Sequence, residues 1–155
     1  MTKSDQGVKI VAQNRRAAHD YFLEDRFEAG IVLLGSEIKS IRAGRANLKE
    51  AYVQAQAGEV FLLNAHIAAY DPAARQNHDP LRVRKLLLHK KEIARLRQKV
   101  QLKGYTIVPL KVYLSKGRAK VEIALAKGKR QYDKREAIAK RESQREIARA
   151  MARKD

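Results

Sequence analysis

The sequence predicts a mainly β protein in which antiparallel strands form a small closed barrel, with flanking α-helices and a basic C-terminal tail. Three observations support this class. Short apolar stretches alternate with turn residues in the first half of the chain, one amphipathic helix follows, and a second pair of alternating strands comes after that helix. A doubly wound sheet would instead need strands and helices that alternate regularly.

The first half of the chain carries the early strands. One apolar stretch begins at Ile10, and residues 30–35, Gly-Ile-Val-Leu-Leu-Gly, form another. Residues 52–56 and 60–63 are predicted to form a hairpin, because Gly58 between them can adopt the positive φ that a tight reversal needs.

Two helices are predicted from their spacing and end signals. The first covers residues 36–43, where Ser36 is placed to cap the start and Gly44 to end the helix. The stronger pattern covers residues 90–103, where apolar side chains recur at helical spacing among Lys and Arg, and Gly104 follows as a C-terminal cap. We expect this amphipathic helix to pack on the sheet.

The apolar period changes to two after this helix. Apolar residues alternate through 108–114 and through 121–125, with a turn at residues 115–118 between them, so a second hairpin is predicted. Many short antiparallel strands with a late helix favour an antiparallel β-barrel of the oligonucleotide-binding type.

Net charge is the strongest functional signal in the composition. The 34 Lys and Arg residues exceed the 17 Asp and Glu residues, which leaves +17 at neutral pH. Such an excess attracts phosphate groups, whereas solubility needs a net charge of only about 2–8. The composition therefore favours a nucleic-acid-binding protein over a basic enzyme or a membrane-surface protein. No apolar run is long enough to span a bilayer, and the absence of cysteine fits a reducing cytosol.

No catalytic, metal or cofactor site is predicted. The four histidines lack metal-ligand spacing, and no glycine loop of the phosphate-binding kind is present. One acidic cluster could bind a divalent ion in a nuclease: Asp20, Glu24, Asp25 and Glu28. In so basic a chain these carboxylates are more often surface charges or partners of arginines, so a nuclease is the less favoured alternative, beside a structural RNA-binding protein of the ribosome.

His19 lies between Arg15 and Arg16 on one side and the rings of Tyr21 and Phe22 on the other. Basic residues interleaved with rings can stack on RNA bases while they hold the backbone. Packing of both rings inside the barrel explains the same residues equally well, so both interpretations stay open.

The composition changes abruptly after Ala126. Large apolar residues become sparse, which predicts that the tail cannot bury a face of its own, although Ala, Glu, Lys and Arg give it high helix propensity. We expect a barrel domain at residues 1–127 and a tail at residues 128–155 that is disordered in the free protein and helical when bound. In a helix, four arginines would form a stripe that suits a phosphate-lined groove: Arg141, Arg145, Arg149 and Arg153.

A series of motifs along the chain resembles the small protein B (SmpB) family, whose members bind bacterial transfer-messenger RNA (tmRNA, or SsrA RNA). The motifs lie at residues 14–17, 19–22, 27–30, 35–44, 64–67, 79–80, 84–88, 104–105, 126–130 and 133–135. Each motif is weak alone, but their order and spacing from about residue 10 onward make the resemblance specific.

What this resemblance implies is more concrete than the charge. Members of the family have an oligonucleotide-binding barrel, bind the transfer-RNA-like domain of tmRNA, promote its charging with alanine and bring it to stalled ribosomes in trans-translation. The expected partners are therefore tmRNA and the ribosome, with elongation factor Tu and alanyl-tRNA synthetase as indirect partners. The barrel would replace the missing anticodon arm, and the tail would enter the empty mRNA channel as a helix. No enzymatic activity, cofactor or membrane partner is implied, and a cytoplasmic location is expected.

The resemblance also assigns sites. RNA contacts are expected at Asn14, Arg15, Arg16, His19, Glu28, Leu87, Lys127, Lys129 and Arg130. Of these, Asn14, Glu28 and Leu87 are assigned to the RNA elbow, and His19 to the decoding region of the small ribosomal subunit. The ribosome-binding tail would use Asp133, Lys134 and Arg135 together with the arginine stripe. A carboxylate such as Glu28 suits an exposed RNA loop, because it accepts hydrogen bonds from base amino groups and 2′-hydroxyls.

Overall fold

The computed structural model describes residues 8–70, 77–129 and 133–152. The strands are β1 (Val8–Gln13), β2 (Tyr21–Ile31), β3 (Ala46–Asn47), β4 (Tyr52–Gln56), β5 (Glu59–Leu63), β6 (His66–Ile67), β7 (Arg84–Leu87), β8 (Tyr105–Ser115) and β9 (Arg118–Gly128). The helices are α1 (Ala17–Asp20), α2 (Gly35–Arg42), α3 (Lys90–Val100) and α4 (Asp133–Ala152), and the side chains of α4 are described from residue 140.

The main sheet closes on itself. Its strands follow the order β8-β4-β5-β7-β2-β9, and β9 pairs back to β8, all in antiparallel register. A single pair, Val53 with Ile107, joins β4 to β8, and β1 pairs with the same edge of β8 farther along. Closure removes exposed strand edges. The predicted class, a mainly β protein with a closed antiparallel sheet and flanking helices, is confirmed, and this architecture is compatible with the predicted oligonucleotide-binding type of barrel.

Side chains that alternate along the strands fill the barrel. In β9 the predicted apolar residues Val121, Ile123 and Leu125 are all buried. The buried Leu96 of α3 and Ile41 of α2 pack against the same core. The amphipathic helix therefore packs on the sheet as the sequence predicts, because this packing removes its apolar stripe from water.

Both predicted hairpins are present, with turns of the expected kind. Ala57 and Gly58 have φ of +55° and +76°, and Lys116 and Gly117 have φ of +51° and +78°. Two consecutive residues with positive φ give the two-residue turn whose twist matches that of the flanking strands.

One predicted strand is wrong. Residues 30–35 were expected to form a strand, but β2 ends at Ile31 and α2 begins at Gly35. Val32 and Leu34 are 44% and 48% exposed, whereas Ile31 and Leu33 pack against the core, so only part of this apolar run is buried. Strand β2 is formed instead mainly by the charged segment before this run, in which one face is solvated and every second residue is exposed.

The helix ends differ from prediction by one to three residues. Ser36 is not the cap of α2, because its hydroxyl is hydrogen-bonded to His78 Nδ1 at 2.8 Å. The helix starts after Leu34, whose backbone N–H donates to Glu37 Oε1 at 2.7 Å. The third helix ends at Val100, three residues before the predicted end.

A buried ion pair joins α2 to β7. Arg84 Nε donates to Glu37 Oε2 at 2.6 Å, and both side chains are fully buried. Arg82 donates to the other carboxylate oxygen, also at 2.6 Å. Burial opposes ionisation of Glu37, but these hydrogen bonds, the bond from Leu34 N–H and the charge of Arg84 outweigh it and hold the pKa of Glu37 below its ordinary value.

We expect Glu37→Gln to lower the free energy of unfolding by about 3–5 kcal/mol, because it leaves the buried Arg84 charge without its counterion. The matched control is Asp25→Asn, which breaks the exposed ion pair with Arg95 and should cost less than about 1 kcal/mol. Urea denaturation measures both. Equal losses in the two variants would contradict the importance of the buried pair.

The same pair gives a pH dependence. In the folded protein the pKa of Glu37 lies below its ordinary value of 4.5. The contribution of ionised Glu37 to the free energy of unfolding is therefore fully present above pH 4.5 and is lost as the pH falls through the folded pKa. The difference in free energy of unfolding between the parent and Glu37→Gln, measured by urea denaturation, should therefore become smaller in acid.

Candidate RNA interface

The outer face of β2 organises the predicted RNA-contact residues. Phe22, Glu24, Arg26 and Glu28 are exposed along this strand and alternate with partly buried neighbours. Phe22 and Glu28 are six residues apart, which is about 20 Å along a strand. The predicted residues near β2 therefore fall into two groups, one at each end of the strand.

The Glu28 group consists of Glu28, Tyr113 and Leu87. The Tyr113 hydroxyl donates a hydrogen bond to Glu28 Oε2. Burial of Tyr113, the hydrogen bond and the charge of Glu28 together raise the pKa of the phenol well above its ordinary value, so Tyr113 is a fixed donor at neutral pH. Within the described part of the chain, Glu28 Oε1 has no such partner, and the side chain is exposed.

Of the three consecutive leucines in β7 and after it, Leu87 is the exposed one. Its side chain is 51% exposed, whereas Leu86 is buried and Leu88 packs against the core. Leu87 pairs with Gly30, and a Cβ added at Gly30 would lie 3.3 Å from the Leu87 Cβ. The missing side chain at this position lets Leu87 lie against β2, two residues from Glu28, as the assignment of both to one RNA surface requires.

Asn14 lies apart from Glu28 and Leu87. It follows β1, and its side-chain Nδ2 donates to the carbonyl oxygen of Pro109 at 3.0 Å. Three strand spacings, β1 to β8 to β9 to β2, separate it from Glu28, which is about 14 Å along the sheet. The structure thus brings together only two of the three residues assigned to the RNA elbow.

The Phe22 group consists of His19, Phe22, Lys127 and Lys129. Phe22 is 59% exposed, and the Nζ of Lys129 lies 4.9 Å from the centroid of its ring. Lys127 is the direct partner of Phe22 on β9, and His19 is exposed at the end of α1. Tyr21 instead packs on a second apolar cluster, so the two rings that the sequence left equivalent are separated by the alternation of the strand.

The remaining predicted residues are less well defined. Arg15 and Arg16 are exposed in the turn before α1. Arg130 and Arg153 lie outside the described residues. Asp133, Lys134 and Arg135 form the first turn of α4, where only the backbone is described.

The tail does bury side chains, so that part of the prediction was wrong. Ile147 of α4 is fully buried against Phe61 and Leu63, and Met151 packs beside them. One turn earlier, Ser143 Oγ donates to Gln54 Oε1 at 3.1 Å. This contact was not predicted from the sequence, because the few apolar residues of the tail pack against the barrel surface rather than within the tail.

The opposite side of α4 is basic and open. Arg141, Arg145 and Arg149 are exposed, as the stripe requires. Two acidic side chains of the helix, Glu146 and Glu142, lie near Tyr52 of β4. Burial, followed by the charges of these two carboxylates, raises the pKa of Tyr52 to about 12.

A groove of about 780 Å³ runs between α4, α3 and the segment after β1. Asn14 and Arg16 lie on one side, Arg97 lines it from α3, and Lys140 belongs to the α4 wall. The tail helix therefore lies next to two residues assigned to RNA contact.

Within the described ranges, no group of three or more His, Asp or Glu residues is arranged to hold a metal ion, and no helix is long and apolar enough to cross a membrane.

Comparison with known proteins identifies the family. A model of the SmpB protein family matches residues 11–153. The chain belongs to the SmpB family. It is 59% identical over 152 residues to the SsrA-binding protein of Symbiobacterium thermophilum, covering 97% of this chain and 96% of that protein. It is 58% identical to the SsrA-binding protein of Geobacillus kaustophilus, covering 92% of each chain.

Solved structures agree with this SmpB assignment. One solved chain, described with the words "tmRNA-SmpB: a journey to the center of the bacterial ribosome", superposes with a TM-score of 0.65 at 46% identity. The match covers 85% of this chain and 94% of the other. The resemblance inferred from the ordered motifs is confirmed.

We expect Ile147→Asp to detach α4 from the barrel, because a buried carboxylate has no counterion among Phe61 and Leu63. Amide protection of residues 140–152 should fall while β8 and β9 stay protected. Ala148→Asp is the matched control, since it adds the same charge at an exposed position of the same helix and should leave protection unchanged. If these residues exchange as freely in the parent as in Ile147→Asp, docking is not populated in solution.

Proposed function

We propose that this protein binds the transfer-RNA-like domain of tmRNA and acts in trans-translation at stalled ribosomes, without enzymatic activity of its own. The observation that carries the proposal is the 59% identity to an SsrA-binding protein over almost the whole of both chains. The likeness to a solved tmRNA–SmpB chain from work on the bacterial ribosome supports the same function.

The charge and the exposed groups supply the physical basis for RNA binding. A net charge of +17 favours association with a phosphate backbone regardless of sequence. Recognition then falls to the Glu28 group. Glu28, with one oxygen held by Tyr113, presents the other to donors on exposed RNA bases or 2′-hydroxyls. Leu87, exposed beside it, offers an apolar cover for an unstacked base.

We assign the contacts with the small ribosomal subunit to the tail and to His19. The exposed arginines of α4 suit the phosphate-lined mRNA channel, and His19 suits the decoding region. Burial of Ile147 stabilises the docked helix by about 1.5–3 kcal/mol. This gain is comparable to the free-energy cost of the conformational entropy lost when a few residues become ordered. In the free protein the tail then exchanges between a mobile chain and the docked helix, and it becomes helical in the channel.

The other expected partners are proteins that act on tmRNA. Elongation factor Tu and alanyl-tRNA synthetase both act on the tmRNA that this protein holds, so we propose contact with them through the complex. The place of action is the cytoplasm, where ribosomes translate.

We expect Glu28→Ala to weaken binding to the transfer-RNA-like domain about ten- to a hundredfold, although it makes the protein more positive. The physical reason is the loss of hydrogen bonds to a charged acceptor, worth roughly 1.5–3 kcal/mol. Filter binding or fluorescence anisotropy gives the affinity. Glu50→Ala, at an exposed position, makes the same change in charge and should bind as tightly as the parent or more tightly.

Salt dependence separates the two kinds of contact. Lys129→Ala should reduce the slope of log affinity against log salt by somewhat under about one unit, whereas Glu28→Ala should leave it nearly unchanged. Undiminished binding by Glu28→Ala, with the fold intact by circular dichroism, would show that Glu28 serves only as the partner of Tyr113.

We expect a chain without residues 133–155 to bind the transfer-RNA-like domain within about twofold of the parent, because β9 and the barrel are complete at Gly128. The same deletion should abolish tagging of nascent chains on stalled ribosomes in a reconstituted translation reaction. Loss of RNA binding on deletion would instead place the main RNA contact in the tail.

A further inference from the structure

Phe22 is the most exposed of the large apolar side chains in the described part of the chain, at 59%. A single exposed apolar residue is common on protein surfaces and means little alone. Here the exposed ring lies on a part of β2 that pairs with β9, since Tyr21, Phe22 and Leu23 all have partners there, so its backbone is held in place.

One lysine ammonium lies beside this ring, whereas that of the cross-strand neighbour Lys127 lies 5.9 Å from the centroid of the Tyr105 ring. The Nζ of Lys129 lies 4.9 Å from the ring centroid, within the range of a cation–π interaction. The same Nζ donates to the carbonyl oxygen of Ala18 at 3.3 Å, and the backbone N–H of Lys129 donates to that of Asp20 at 3.2 Å. These bonds fix the ammonium beside the ring. Lys127 pairs with Phe22 across the two strands and is exposed.

An exposed aromatic ring beside a fixed lysine ammonium, with a second exposed lysine on the paired strand, has the features of a stacking site for single-stranded RNA. Base–aromatic stacking needs an accessible ring on a rigid support, and nearby lysines neutralise the flanking phosphates. Phenylalanine has no hydrogen-bonding group, so such a site accepts any base rather than reading base edges. This distinguishes it from the Glu28 group, about 20 Å away along β2.

We propose that Phe22 is a stacking platform for an unpaired RNA base, with Lys129 fixing the ring and Lys127 facing the adjacent phosphate. The inference rests on the proposed function, since it adds a second RNA contact to the one assigned to Glu28 and Leu87. The base belongs either to the transfer-RNA-like domain of tmRNA or to the small ribosomal subunit, and the two are separated by experiment.

The chain contains no tryptophan, so Phe22→Trp places a single indole at this position. We expect its emission to be quenched when a base stacks on it. The two probes are the transcribed transfer-RNA-like domain and purified small ribosomal subunits, and the probe that quenches identifies the source of the base. Leu81→Trp is the control, because Leu81 is also about half exposed but lies on the segment before β7, next to the Glu37 cluster. Its emission should not change.

A second pair of variants separates stacking from ordinary apolar contact. Phe22→Leu keeps an apolar side chain but removes the ring, and it should weaken binding of the probe that quenches about five- to a hundredfold. Phe22→Tyr keeps the ring and should bind like the parent. Neither change should alter the thermal midpoint by more than a few degrees, since the side chain is exposed, and neither should change the salt slope.

Unquenched emission of Phe22→Trp at saturation with both probes would overturn the inference, as would parent-like affinity of Phe22→Leu for both. Those results leave tmRNA binding by the parent intact. Failure of the parent itself to bind the transfer-RNA-like domain would overturn the proposed function instead, and the two failures are therefore distinct.

Discussion

The buried pair between Glu37 and Arg84 is the constraint that holds α2 against β7 and fixes the strand that carries Leu87. A buried charge without its counterion is far more costly than an exposed one, so α2 and β7 cannot separate without a large loss of stability. Arg84 also donates to the carbonyl oxygen of Ala65 at 2.7 Å, which ties in the segment after β5. With Arg84 fixed inside, the alternation of β7 directs Leu86 inward and Leu87 outward.

The long strand β2 then positions several of the residues proposed to contact RNA. Its inner residues pack on the barrel, while its outer residues form a line that ends in Phe22 on one side and in Glu28 on the other. The two ends differ in chemistry. Glu28 is oriented by a neutral donor and suits hydrogen-bonded recognition, whereas Phe22 is flanked by lysines and suits stacking and phosphate contact. One strand thus carries two chemically different sites proposed to contact RNA.

The tail is joined to this arrangement rather than independent of it. Its apolar residues contact the β4–β5 hairpin through Ile147, and its arginines point away from the barrel. Because the docking side and the basic side are different faces of one helix, the arginine stripe is available whether or not the helix is docked. The barrel surface supplies the apolar partners that the tail sequence lacks.

Local sequence patterns were sufficient to predict the features that depend on neighbours in the chain. The hairpin turns at Gly58 and Gly117, the alternation of β9, the amphipathic helix and the basic character could all be predicted, because each follows from a local period or a local backbone requirement. The ordered motifs also sufficed to identify the family. Where a local signal was ambiguous, as in the apolar run at residues 30–35, the prediction was wrong. Contacts between residues that are distant in the sequence could be seen only in the folded barrel. Glu37 and Arg84 are 47 positions apart and Glu28 and Tyr113 are 85 apart, so their pairing depends on barrel closure and register, which no local pattern encodes.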